Sequence, residues 1–157
     1  MLGGCCKLNL NDIYTELILE QSRNKRNRRH LENPTHVELG HNPSCGDEIT
    51  LELRVKDENI EDASYTGIGC AISQASTSIM IDTIKGLDTP KALELSNKFI
   101  AMVKGEISDE ADLEDLEDAI AFESIQNLPA RVKCAVLPWY TLKEMIEKDI
   151  EKKSFRV

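Results

Sequence analysis

The chain has 157 residues, of which 41% are hydrophobic and 30% charged, with a formal net charge of -9. That length suits one domain with a real core, and the acidic balance argues against a nucleic-acid partner. No apolar run approaches the roughly 20 residues that cross a bilayer, and no charged-then-apolar leader opens the chain, so no membrane association and a cytoplasmic setting are expected. The charge is uneven: Arg23, Lys25, Arg26, Arg28 and Arg29 cluster early, while Glu106 to Asp118 carries eight acids and no base. Such runs read as solvated faces, and the basic one also reads as a docking patch for an acidic partner.

Taken in chain order, Asn11-Asp12 is placed to cap a helix with Ile13, Leu17 and Ile18 on one face. The basic, polar stretch from Lys25 to Pro34 reads as a connector, and Thr35 to Leu39 as a short first strand. Glu48 to Lys56 alternates, with Ile49, Leu51, Leu53 and Val55 apolar, which predicts a half-buried strand. Asp57-Glu58-Asn59 turns the chain, and Ile60 to Thr66 returns beside that strand. From Cys70 the period becomes helical through Ile72, Ala75, Ile79 and Thr83, ending at Lys85-Gly86.

A further helix runs from Thr89-Pro90 to Val103 with Leu95, Phe99 and Met102 inward. Ser108 is placed to cap an acidic helix through Leu113, Leu116 and Ile120. The last helix starts near Pro129, and Pro138 predicts a kink or break because its ring crowds the Cys134 carbonyl. Early strands followed by helices give an α+β domain, a small antiparallel sheet packed against several helices.

Five cysteines (Cys5, Cys6, Cys45, Cys70 and Cys134) in a chain without a leader point to a reducing compartment. Cys45, Cys70 and Cys134 each sit at an element boundary, where thiolates near helix N-termini are stabilised. In extended backbone Cys45 and Asp47 point to one side, and Gly46 between them adds no crowding side chain. Three thiolates and a carboxylate make a tetrahedral zinc site, with bonds of roughly 2.0–2.3 Å. The same residues also read as a polar turn and buried filler. His30, His36 and His41 read as ordinary polar residues, with His41 alone near enough to Cys45 to support a site from behind.

Three stretches carry a resemblance: NPSCGDEITLEL from Asn42, YTGIGCAISQASTSIM from Tyr65 and LPARVKCAVLPWYTLKEMI from Leu128. They resemble the U-type iron–sulfur assembly proteins, in particular the SufU branch, and the likeness extends from Leu10 to Ile146. It implies a single domain over residues 1–157 with a helical insertion at about 105–127. It also implies a metal site of Cys45, Asp47, Cys70 and Cys134. The implied metal is zinc, or a transient iron–sulfur cluster if the chain behaves as an IscU-type scaffold. The implied activity is sulfur transfer: Cys45 accepts persulfide sulfur from a SufS-like cysteine desulfurase and passes it toward a downstream iron–sulfur scaffold. Arg131 and Lys133, close to Cys134, are the candidates to offset the site's negative charge. Three departures from IscU-like scaffolds favour the carrier: Lys133 replaces the histidine before the last cysteine, Leu128-Pro129-Ala130-Arg131-Val132-Lys133 does not keep the Leu-Pro-Pro-Val-Lys motif, and the insertion is present.

Overall fold

The computed structural model describes residues 10–107 and 109–154. Cys5, Cys6 and the Ser108 cap therefore lie outside the described residues. The order is α1 (Leu10–Arg23), β1 (His36–Asn42), β2 (Asp47–Lys56), β3 (Asn59–Ile68), α2 (Ala71–Ile84), α3 (Thr89–Val103), α4 (Glu110–Leu113), a 3-10 segment (Glu114–Asn127) and α5 (Pro129–Ser154). The fold is α+β, with an antiparallel sheet in the order β1-β2-β3.

The alternation in β2 places Ile49, Leu51 and Leu53 on the inner face, where all three are buried. Their partners Gly40, Glu38 and His36 on β1, and Gly67, Tyr65 and Ala63 on β3, share that face. α2 and α5 cover it. The outer face leaves Val37, Leu39 and Ile68 exposed. The turn at Asp57-Glu58 has positive φ at both residues, which gives a two-residue hairpin loop the twist its strands need.

α2 is buried nearly all round despite its hydroxyls. Thr77 donates to Ser73 O and Thr83 to Ile79 O, so burying these hydroxyls leaves no donor unpaired. α3 opens with Asp88 accepting from Lys91 N, a side-chain cap with Pro90 in the first turn. α5 runs through Pro138 without the expected break. The Ser76 hydroxyl donates to Ala135 O at 2.6 Å, supporting a carbonyl beside the place where proline removes a donor.

One expectation is corrected here. β1 extends to Asn42 rather than stopping at Leu39, because the hairpin register carries pairing to Asn42 opposite Asp47. All five bases of the early run are exposed, the solvated face expected of them, and three also hold neighbouring elements. Arg26 pairs with Asp82 at 2.7 Å, Arg28 donates to Gly67 O at 2.8 Å and Arg29 reaches Asp62 at 3.0 Å. Within the same connector Asn27 is fully buried, its Nδ2 bonded to Ser78 and Asp82, while its carbonyl accepts from Tyr65 N. These bonds lash the connector to β3 and α2.

Asp62 gives that lashing a pH signature. Burial raises its pKa, but bonds from Ala63 N and Arg29 and the charges of Arg29 and Lys85 prevail and hold it below the usual carboxylate range. A depressed pKa contributes stability above the unfolded value of about 3.9 and loses it as pH falls through the lower folded value. The stability gap between the native chain and Asp62→Asn should therefore be widest near neutral pH and close in acid. Urea titrations across that range check this, and a gap independent of pH would remove the assignment.

Candidate metal centre

Cys45 sits in the four-residue loop that joins β1 to β2. The loop closes by hydrogen bonds from Cys45 N and Gly46 N to Asn42 O, at 3.3 and 3.0 Å, and from Ser44 N to Asn42 Oδ1 at 3.2 Å. Gly46 lies at φ +71°, a conformation that strains any residue with a Cβ, although a Cβ there would meet nothing within 4 Å. Cys45 and Asp47 thus approach each other because the turn folds back, and not through the same-side geometry of an extended strand. The glycine is needed for its backbone angle rather than to relieve crowding.

Asp47, the first residue of β2, is fully buried beneath this loop. Its Oδ1 accepts from Cys70 N at 2.8 Å, and Cys70 Sγ lies 3.8 Å from its Oδ2. Cys70 occupies the N-cap position of α2 but supplies no side-chain cap. The Asp47 carboxylate supplies it instead, where the helix dipole favours negative charge. Gly69 makes the approach possible: a Cβ there would run into the Ser73 hydroxyl and come within 3.2 Å of Asp47 Oδ1.

Cys134, in the second turn of α5, is fully buried, and its Sγ stands 3.2 Å from Cys45 Sγ. Burial, then the neighbouring Cys45 and Cys70 thiols and the Asp47 charge, push its pKa well up. Without a cation, the position near a helix N-terminus therefore does not make Cys134 a stabilised thiolate. Ligand atoms of Cys45, Asp47 and Cys134 all lie within 4.8 Å of one another, and Cys70 flanks them against Asp47. The three thiols grade from exposed Cys45 through half-buried Cys70 to buried Cys134.

Arg131 stands exposed at the start of α5 and makes no side-chain bond to the cluster among the described residues. His41 lies on the outer face of the sheet, 4.0 Å from Glu48, and so does not back the site. Asn42 was missed by sequence reasoning, although asparagine two residues before a backbone N–H is a familiar turn former. It is buried, and its Nδ2 lies 4.0 Å from Cys134 Sγ.

Comparison with known proteins shows the family. The model of the NifU-like N terminal domain matches residues 13–135. A Thermotoga maritima protein named iron–sulfur cluster assembly scaffold protein IscU is 43% identical over 87% of this chain and 94% of its own. The Bacillus subtilis zinc-dependent sulfurtransferase SufU is 39% identical over 90% of this chain and 94% of its own. A crystal structure from Fervidobacterium islandicum, described as a putative iron–sulfur cluster assembly scaffold protein for the SUF system, superposes with a TM-score of 0.78. It is 42% identical and covers 85% of this chain and 96% of its own. No helix among the described residues is long and apolar enough to cross a membrane. The chain belongs to the NifU-like N-terminal domain family of iron–sulfur cluster assembly and fits its SufU-like branch.

Proposed function

We propose that the chain is a zinc-dependent sulfur-transfer protein that accepts persulfide sulfur from a cysteine desulfurase onto Cys45. The observation that carries this reading is the placement of one exposed thiol, on a hairpin loop, 3.2 Å from a buried one. The donor set fits zinc: thiols and a buried carboxylate converge, with no side-chain cation among them from the described residues. Zinc bound by Cys45, Asp47, Cys70 and Cys134 supplies the positive charge that holds the thiols as thiolates.

The remaining chemistry belongs to the chain's own residues. Asp47 and Cys70 are fixed to each other through the start of α2, and Cys134 is fixed within α5, so Cys45 is the thiol free to reach a partner. Its thiolate attacks the outer sulfur of the desulfurase persulfide. A new sulfur–sulfur bond forms on Cys45, the old one breaks, and the partner's cysteine leaves as a thiolate. Arg131, exposed one turn before Cys134, is proposed to meet the negative charge of the incoming persulfide. The sulfur then passes to a downstream iron–sulfur scaffold.

The test is metal analysis of the purified chain paired with intact mass after incubation with desulfurase and cysteine. About one zinc per chain and an added mass of about 32 Da on Cys45 are expected. The Thermotoga relative named as a scaffold favours a second reading, in which the same residues carry a transient cluster. That reading requires labile sulfide after anaerobic reconstitution, and zinc that reconstitution cannot displace counts against it.

A further inference from the structure

Pro43, Ser44, Cys45 and Gly46 are all exposed, so no side chain of the loop is sunk into the core to hold the thiol in place. The position of Cys45 is set by the two feet of the loop, Asn42 and Asp47, which pair across the hairpin and are both buried. Each foot reaches a different element that bears another thiol. Asp47 accepts from Cys70 N at the start of α2. Asn42 turns its Nδ2 toward Cys134 Sγ on α5, at 4.0 Å, while its two oxygens take three backbone N–H groups of the loop. Of these four contacts, the one to Cys134 alone leaves the loop and fixes it against α5.

We propose that Asn42 is a positioning residue for the acceptor thiol, locking the Cys45 loop to α5 so that Cys45 returns beside Cys134 after each excursion. The carboxamide suits both tasks, because one end accepts from the turn and the other donates toward sulfur. Serine at this position keeps only the first task, since its hydroxyl accepts from the N–H two residues on but is too short to reach Cys134. Alanine keeps neither. The functional part of the inference rests on the sulfur-transfer reading, and the geometric part does not.

The geometric part is tested on the metal-free full-length chain with diamide. Cys45 and Cys134 are oxidised to a disulfide, giving up two protons and two electrons, and the diazene is reduced to a hydrazine. Peptide mapping then measures the Cys45–Cys134 pair relative to Cys70–Cys134, under conditions in which circular dichroism shows each chain folded, because unfolded chains pair by loop length instead. The ratio is expected to fall about tenfold in Asn42→Ala and about threefold in Asn42→Ser, since small misplacements of reacting atoms carry costs of that order. Sulfur loading of the zinc-bound chains should follow the same order. A ratio for Asn42→Ala within twofold of the native chain, or for Asn42→Ser equal to it, overturns the proposal. If Asn42→Ala fails to fold, Asn42→Ser decides alone: a lowered ratio supports the lock and an unchanged one overturns it. If the ratios order as expected but no chain loads sulfur, the sulfur-transfer reading fails and the positioning role stands.

Discussion

Replacing Cys45 with alanine is expected to abolish sulfur loading while leaving the fold intact. The side chain is exposed and, among the described residues, its one thiol neighbour at hydrogen-bonding range is Cys134, so its loss in the metal-free chain should stay within about 0.5 kcal/mol of stability. Function is affected far more. Cys134 is wholly enclosed, and half-buried Cys70 is held against Asp47 at the start of α2, so neither presents its thiol as freely as Cys45. Intact-mass analysis after desulfurase and cysteine should therefore show no adduct on Cys45→Ala. Loading at the native rate would move the acceptor role to Cys70 or Cys134. Cys134→Ala offers the contrast: the loss of a buried thiol should weaken the metal-bound state while the exposed acceptor remains.

Trp139→Ala is the substitution expected to cost most in stability. Trp139 is fully buried and stacks on Phe99 at 4.3 Å and 11°, and Phe99 in turn meets Phe122 edge-on at 5.8 Å. Its Nε1 donates to Ser76 Oγ at 3.0 Å, and that hydroxyl donates onward to Ala135 O. Truncating such a residue removes about 3–5 kcal/mol, a large share of the 5–15 kcal/mol typical of a domain. Denaturant titration gives the value directly, and a loss below about 1 kcal/mol would mean that the core closes over the gap. Trp139→Phe keeps an aromatic ring over Phe99 and removes only the bond that Ser76 Oγ accepts, and should cost less. The same contacts fix α5 one turn beyond Cys134, so the alanine variant should also hold metal less firmly in a chelator competition.

Much of this fold was legible because its signals are local. The alternation in β2, the proline in the first turn of α3 and the glycine after α2 each act within a few residues. The acidic segment shows where a reading by helical period held only in part. Leu116, Ala119, Ala121, Phe122 and Ile125 are buried there, in a segment that is 3-10 rather than α-helical. Leu113 and Leu116 are buried and Ile120 packs against the core, so the apolar positions held while the helix type changed after Leu113. Nor can composition foresee the reversal of φ at Glu117, which interrupts that segment. The site's members were visible as residue types at element boundaries, but the hydrogen bond from Cys70 N to Asp47 joins positions 23 apart and depends on the packing of α2 over the sheet. Asn42 was hidden for a similar reason: its neighbour in the site lies 92 positions away.

The pairing of Asn42 with Asp47 imposes a rule of length on the hairpin. Both residues face inward, and strand side chains alternate, so the loop between them has a parity. A single inserted residue has two outlets. It either bulges from the loop and carries Cys45 away from Cys134, or it slips β2 by one place and turns Asp47, Ile49, Leu51 and Leu53 to solvent together. Exchanges at Pro43 and Ser44 escape both outcomes. The hairpin thus tolerates changes in spelling but not in count, and its four-residue length is as much a part of the centre as the cysteine it carries.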